Sequence, residues 1–176
     1  MIAVYLTEEW TQVIRATVRR GTFNVVSGDY LDPYLPDLLR SDAGQLAEMF
    51  REVQALTKTK DDEVCIILPD HVFRKIGCYN DTENLEAEIK DDLRVPIEAC
   101  SLAYPIVVNK KTSKKKTVCA LDRSYIDILI TAAKQMKMPL VSIEPAGFVF
   151  LKATRKWEKE QMALFISEKN ASLISY

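Results

Sequence analysis

Apolar and polar positions alternate at the start of the chain. Residues 2–28 give three short strand signals in succession, and in the second Ile14, Ala16 and Val18 alternate with Arg15, Thr17 and Arg19. A period of two puts one face in a core and the other in water, so the expected buried face is Ile14–Ala16–Val18. Arg20-Gly21 supplies the turn into Thr22–Ser27, and the opening reads as an antiparallel meander. Beyond Pro33 and Pro36 the period changes. Leu46, Met49, Phe50, Val53 and Leu56 share one face of a helix, and Asp42 with Gln45 three residues on resembles a capping box.

Val64-Cys65-Ile66-Ile67-Leu68 is an unbroken apolar run ended by Pro69, the signature of a strand covered on both faces and hence placed mid-sheet. A second block follows: a strand near Val72–Cys78, a helix near Thr82–Leu93 with Leu85, Ile89 and Leu93 aligned, and strands near Leu102–Val108 and Thr117–Leu121. This β-α-β-β order predicts a small subdomain. Ser124 with Asp127 opens a further helix striped by Tyr125, Ile128, Leu129, Ala132, Ala133 and Met136, which returns the chain to the main sheet. Leu140–Ile143 is another strand, Pro145 suits the first turn of a helix reaching about Trp157, and Met162–Ile166 with Ala171–Ser175 forms a last hairpin.

Composition narrows the function classes. The 176 residues carry 24 basic and 25 acidic side chains, a net charge of −1 that lacks the cationic excess of a general nucleic-acid binder. With 48% hydrophobic and 28% charged residues the chain is expected to fold. No run of eighteen uncharged apolar residues occurs and the first ten residues read as structure, so the sequence predicts neither a membrane span nor a signal peptide. Cys65, Cys78, Cys100 and Cys119 lie far apart without a Cys-x-x-Cys pair, the pattern of reduced, buried, cytosolic thiols.

The two ends of the chain repeat one another. Tyr5-Leu6-Thr7-Glu8 followed by Val13-Ile14 has the pattern of Phe165-Ile166-Ser167-Glu168 followed by Leu173-Ile174, at an offset of 160 residues. Meander, helix, strand, inserted β-α-β-β unit, return and repeated hairpin form the order of the actin-like (ribonuclease-H-like) ATPase fold. The sequence resembles the PilM family of type IV pilus assembly and its relative in type II secretion, GspL. The stretches that carry this are Glu63 to Pro69, Val72-Phe73-Arg74-Lys75-Ile76, and the acidic helix with Glu86, Glu88 and Ile89 leading to Val95-Pro96-Ile97-Glu98. Val141-Ser142-Ile143-Glu144-Pro145-Ala146 completes them. The implied organisation is an α/β domain I of the actin-like kind, truncated before most of domain II: subdomain 1A over 1–69, the insertion over 70–122, a return over 123–160 and the first hairpin of domain II over 161–176.

Where the resemblance breaks down is equally informative. In working actin-like ATPases each hairpin carries an Asp-x-Gly turn, whose glycine lets backbone N–H groups approach a phosphate and whose aspartate serves the metal side. Here Tyr5 and Phe165 stand at the Asp positions, Thr7 and Ser167 at the Gly positions, and Glu8 and Glu168 follow. A carboxylate beside phosphates is repulsive. The expectation is a degenerate domain without nucleotide, metal, other cofactor or catalysis. The resemblance then implies a cytoplasmic scaffold at the inner face of the cell membrane, coupling a motor ATPase to assembly partners. In the PilM family the partner is a short cytoplasmic peptide of PilN, held beside the inserted subdomain. The rival readings are a competent actin-like ATPase or sugar-kinase-like enzyme in which Thr7 and Ser167 hydroxyls replace backbone contacts, and a division-type membrane tether.

Other chemistry is thin. Neither Gly-x-x-x-x-Gly-Lys-Ser/Thr nor Gly-x-Gly-x-x-Gly occurs. His71, the single histidine, reads as a turn residue ahead of a nucleophilic pair with Cys65 or Cys100, and the ligand count fails for zinc. Asp61-Asp62-Glu63 and Asp91-Asp92 read as solvated surface. Lys110, Lys111, Lys114, Lys115 and Lys116 put five lysines in eight positions between two strands, an exposed cationic hairpin tip. Such a tip fits a soluble loop guarding strand edges, an acidic partner, or anionic lipid at about 1 kcal/mol per lysine. Self-association through the unpaired edge of the last hairpin is a further expectation.

Overall fold

A computed structural model describes residues 1–19, 22–59, 62–80, 82–104, 115–149, 162–166 and 171–175. The chain divides into two compact units, one comprising Met1–Leu68 and Ser124–Glu144, the other Pro69–Arg123 and Pro145–Tyr176.

The first unit holds a five-stranded sheet. Strands β1 (Ile2–Leu6), β2 (Thr11–Arg19) and β3 (Thr22–Leu31) form the expected meander, and β4 (Val64–Leu68) and β8 (Leu140–Pro145) complete the order β3-β2-β1-β4-β8. β4 runs parallel to β1, with Ile2 opposite Val64 and Val4 opposite Ile66. That register gathers Ile2, Val4, Val64 and Ile66 on one face, and none of them keeps any exposed surface. The apolar run is thus internal to the sheet, although Cys65 and Ile67 on its second face are only half-buried.

Two helices follow β3. In α1 (Leu35–Leu39) Leu35 and Leu38 are buried, and in α2 (Ala43–Thr57) Leu46, Met49, Phe50 and Val53 are. Asp42 caps α2 by accepting from the Gly44 and Gln45 N–H groups. Its own N–H goes to the Asp37 carbonyl, so α1 completes the cap from the other side. α4 (Arg123–Gln135) buries Leu129, Ala132 and Ala133, and the Gln54 amide of α2 donates to the Met136 carbonyl at 2.6 Å just past its end.

The meander departs from strict alternation. β2 buries Thr11 and Val13, leaving Ile14 and Ala16 half-buried on the opposite face. Arg15 shares the Thr11–Val13 side and is neutralised by Asp62 at 2.8 Å. A bulge accompanies this: Arg15 pairs with Ser27 but Ala16 with Val25, so Val26 is skipped.

The second unit contains β5 (Lys75–Asn80), α3 (Leu85–Asp92), β6 (Cys100–Ala103) and β7 (Lys115–Asp122), with sheet order β5-β7-β6. The predicted β-α-β-β order is present. Leu85, Ile89, Leu93, Cys100, Val118 and Ala120 form its core. Strand β5 starts later than the hydrophobic pattern suggested, because Asp70–Val72 winds into a 3-10 turn after Pro69. Pro145 ends β8, and helical residues begin at 146; the expected continuation towards Trp157 lies outside the described residues. Finally β9 (Met162–Ile166) pairs antiparallel with β10 (Ala171–Ser175).

Candidate functional site

The bend between β1 and β2 is the first place to look for phosphate chemistry, and its hydrogen bonds turn inward. The Thr7 N–H donates to the Trp10 carbonyl at 3.0 Å, closing the four-residue connection. The Thr7 hydroxyl donates to the same carbonyl at 2.7 Å and accepts from the N–H groups of Trp10 at 3.1 Å and Glu9 at 3.3 Å. A hydroxyl has one proton and two lone pairs, and all three are engaged. The N–H groups of Thr7, Glu9 and Trp10, which would have to point outward to grip an anion, are satisfied by the bend itself.

Aromatic rings occupy its flank. Tyr5 meets Trp10 edge-on at 5.6 Å between centroids, and Trp10 meets Tyr30 in the same manner at 5.5 Å. The Gln12 amide donates to the Tyr30 hydroxyl at 3.1 Å. Behind them Thr11 is wholly buried, its hydroxyl accepting from the Tyr34 N–H at 3.2 Å. Tyr5, at the position a metal-side aspartate would take, is therefore part of a ring cluster. Glu8 and Glu9 are exposed.

The second hairpin reproduces the first residue for residue. Tyr5 pairs with Gln12, Val4 with Val13 and Ala3 with Ile14; Phe165 pairs with Ser172, Leu164 with Leu173 and Ala163 with Ile174. Adding 160 to each number of the first set gives the second. Ser167 and Glu168 lie outside the described residues.

The remaining sequence candidates are dispersed. His71 is exposed in the 3-10 turn, and Asp70 beside it accepts from the Gly147 N–H at 2.9 Å. Cys100 and Cys119 are buried, but Cys65 is half-buried and Cys78 exposed, so the expectation of four buried thiols fails at β5, where alternation turns Cys78 outward. Desolvation pushes the Cys119 thiol up to about 12 and also raises Cys100, which disfavours a thiolate nucleophile at either. Among the described residues no group of His, Cys, Asp and Glu is arranged to hold a metal. Lys115 and Lys116 belong to β7, with Lys116 exposed, while Lys110, Lys111 and Lys114 lie outside the described residues.

Two polar clusters were not legible from local sequence. Asp92 accepts from Tyr79 Oη at 2.7 Å and pairs with Lys75 Nζ at 2.7 Å, clamping α3 to β5. Arg74 forks onto Asp122, Nε to Oδ1 at 2.9 Å and Nη2 to Oδ2 at 2.6 Å, a bidentate geometry. Packing of α3 on β5 brings Asp92 to Lys75 and Tyr79, pairing of β5 with β7 brings Arg74 to Asp122, and no motif announces either.

No family model matches the sequence, and no curated protein matches it either. Solved structures do. Over 99% of the chain the structure is similar to the PilM–PilN type IV pilus biogenesis complex, with a TM-score of 0.74 and 14% identity. The same 99% matches the cytoplasmic domain of EpsL, an inner membrane component of the type II secretion system of Vibrio cholerae, at 0.62 and 10%. A Bacteroides thetaiotaomicron protein of unknown function with an actin-like ATPase fold matches at 0.60 and 12%. The chain has the actin-like ATPase fold. It spans 57% of the length of the PilM–PilN chain it matches, 70% of the EpsL domain and 64% of the third.

Proposed function

We propose that this actin-like chain belongs to a scaffold that binds partner proteins in a type IV pilus or type II secretion-like assembly platform, without hydrolysing ATP. The observation that carries the reading is the closed Thr7 bend: its hydroxyl consumes the N–H groups of Glu9 and Trp10, on a fold shared with an assembly complex and an inner-membrane secretion component. A bend without glycine, with the Thr7, Glu9 and Trp10 N–H groups satisfied and carboxylates next to it, disfavours a polyphosphate on both steric and electrostatic grounds. The enzyme reading would need the Thr7 hydroxyl free to donate to a phosphate, whereas it donates to the Trp10 carbonyl.

On this reading the protein works in the cytoplasm against the inner face of the cell membrane, and its partner is an extended cytoplasmic peptide of the PilN kind. Such a peptide binds by adding a strand or filling pockets. Lys110, Lys111, Lys114, Lys115 and Lys116 supply a positive segment suited to anionic headgroups or an acidic partner. The test is calorimetry with PilN-like tail peptides and, separately, with MgATP. Saturable peptide binding without nucleotide binding supports the proposal. Tight, magnesium-dependent ATP binding that Thr7→Ala abolishes overturns it.

A further inference from the structure

β3 is the outer strand of the first sheet, and among the described residues no strand lies beyond it. Which of its backbone groups face outward follows from the ladder. The Ala16 N–H donates to the Met1 carbonyl and the Thr7 N–H to the Trp10 carbonyl, each at 3.0 Å, so even-numbered residues of β2 turn their backbone groups to β1 and odd-numbered ones to β3. Thr11, Val13 and Arg15 are therefore bonded to Leu31, Asp29 and Ser27, and the backbone groups of Gly28 and Tyr30 point away from the sheet. The bulge at Val25–Val26 ends this regular stretch.

Edge strands are commonly guarded by lysine or proline, and Thr22–Leu31 contains neither. Its guard is Asp29. The outward Tyr30 N–H donates to Asp29 Oδ1 at 2.9 Å, so a carboxylate fills the place that the carbonyl of an added strand would take. We propose that an extended basic segment of a partner protein adds antiparallel to β3 over Ser27–Leu31, and that a lysine or arginine of this segment draws Asp29 off the Tyr30 N–H.

Charge selects this occupant. From Thr22 to Pro36 the only charged residues are Asp29 and Asp32, both exposed, and among the described residues no cation pairs with Asp29. With Gly28 and Tyr30 making the main-chain bonds, the residue opposite Asp29 occupies a non-hydrogen-bonded position, where opposed side chains approach most closely. A cation there meets the carboxylate directly, whereas an acidic residue is repelled and leaves the guard in place. Tyr30, 62% exposed, and Val25 beyond the bulge, 71% exposed, supply apolar surface at the two ends of the stretch. The inference stands whether or not the Thr7 bend takes a nucleotide.

The probe is the blocked heptapeptide Thr-Val-Thr-Lys-Thr-Val-Thr, titrated into the protein while the amide NMR signals of Gly28 and Tyr30 are followed. Saturable shifts at both are expected, with a Kd at least about tenfold below that of the same peptide carrying Glu for Lys. N-methylation of the two threonines flanking the lysine abolishes binding, because their N–H groups are the ones that reach β3. Asp29→Asn keeps an acceptor for Tyr30 but drops the charge, so the Lys peptide weakens about tenfold; Asp29→Ala removes the guard, so peptides with Lys and with Ser at the centre bind alike. Should either variant misfold, the Lys, Glu and N-methylated peptides on the parent protein decide. Unmoved Gly28 and Tyr30 signals at millimolar Lys peptide overturn the proposal, as does equal binding of the Lys and Glu peptides. An Asp29→Ala protein that dimerises in sedimentation equilibrium without binding peptide overturns it too, and assigns the edge to a second copy.

Discussion

Thr7 decides what the β1–β2 bend is able to do. Removing its hydroxyl leaves the Glu9 and Trp10 N–H groups without their acceptor, so Thr7→Ala is expected to cost about 1 kcal/mol in urea denaturation. Two aspartates set the acid limb of stability. Asp62 is held below the ordinary carboxylate range chiefly by its hydrogen bond from Arg15, and Asp92 by those from Lys75 and then Tyr79. Each folded carboxyl releases its proton more readily than in the unfolded chain. Its stabilisation is complete above the unfolded value and drains away as pH falls through the folded one. Asp62→Asn and Asp92→Asn should therefore lose stability at neutral pH and flatten the acid limb of a pH-dependent melting series. The sequence places Tyr5, Thr7 and Glu8 where an Asp-x-Gly turn would stand. It was silent on where the Thr7 hydroxyl points, because a threonine in a bend serves either an external ligand or its own backbone, and only geometry distinguishes them.

At the scale of elements, helical periodicity transferred well and strand phase did not. Leu46, Met49, Phe50 and Val53 are buried as their spacing requires, and so are Leu85, Ile89 and Leu93. Ile89→Ala, at a position with no exposed surface in the core of the second unit, should cost about 2–5 kcal/mol by calorimetry. Asp42→Ala removes the acceptor for two α2 N–H groups and should cost about 1 kcal/mol. Strand β2 reads one residue out of phase: the sequence favours the Ile14 face, and the structure buries Val13 and Thr11. A period of two gives no phase of its own. Arg15 counted as a solvent marker, yet a partner 47 residues away, Asp62, neutralises it on the Val13 side. Likewise Pro145 is compatible with a first helical turn or a strand end, and it takes the latter.

For the molecule as a whole, the order of elements was the readable part. The opening meander, the β-α-β-β unit and the closing hairpin depend on hydrophobic period and punctuation more than on residue identity, and the fold they build matches solved structures at identities of 14% and below. The shared register of the two hairpins, offset by 160 residues, strengthens the repeat beyond its short sequence match. Long-range pairs such as Arg74–Asp122 and Lys75–Asp92 had no sequence signal. Most direct for the scaffold reading is an amide NMR titration of the chain with MgATP, following Glu9 and Trp10. Unmoved, exchange-protected N–H signals at millimolar nucleotide are the predicted result; saturable shifts at those two amides would contradict it.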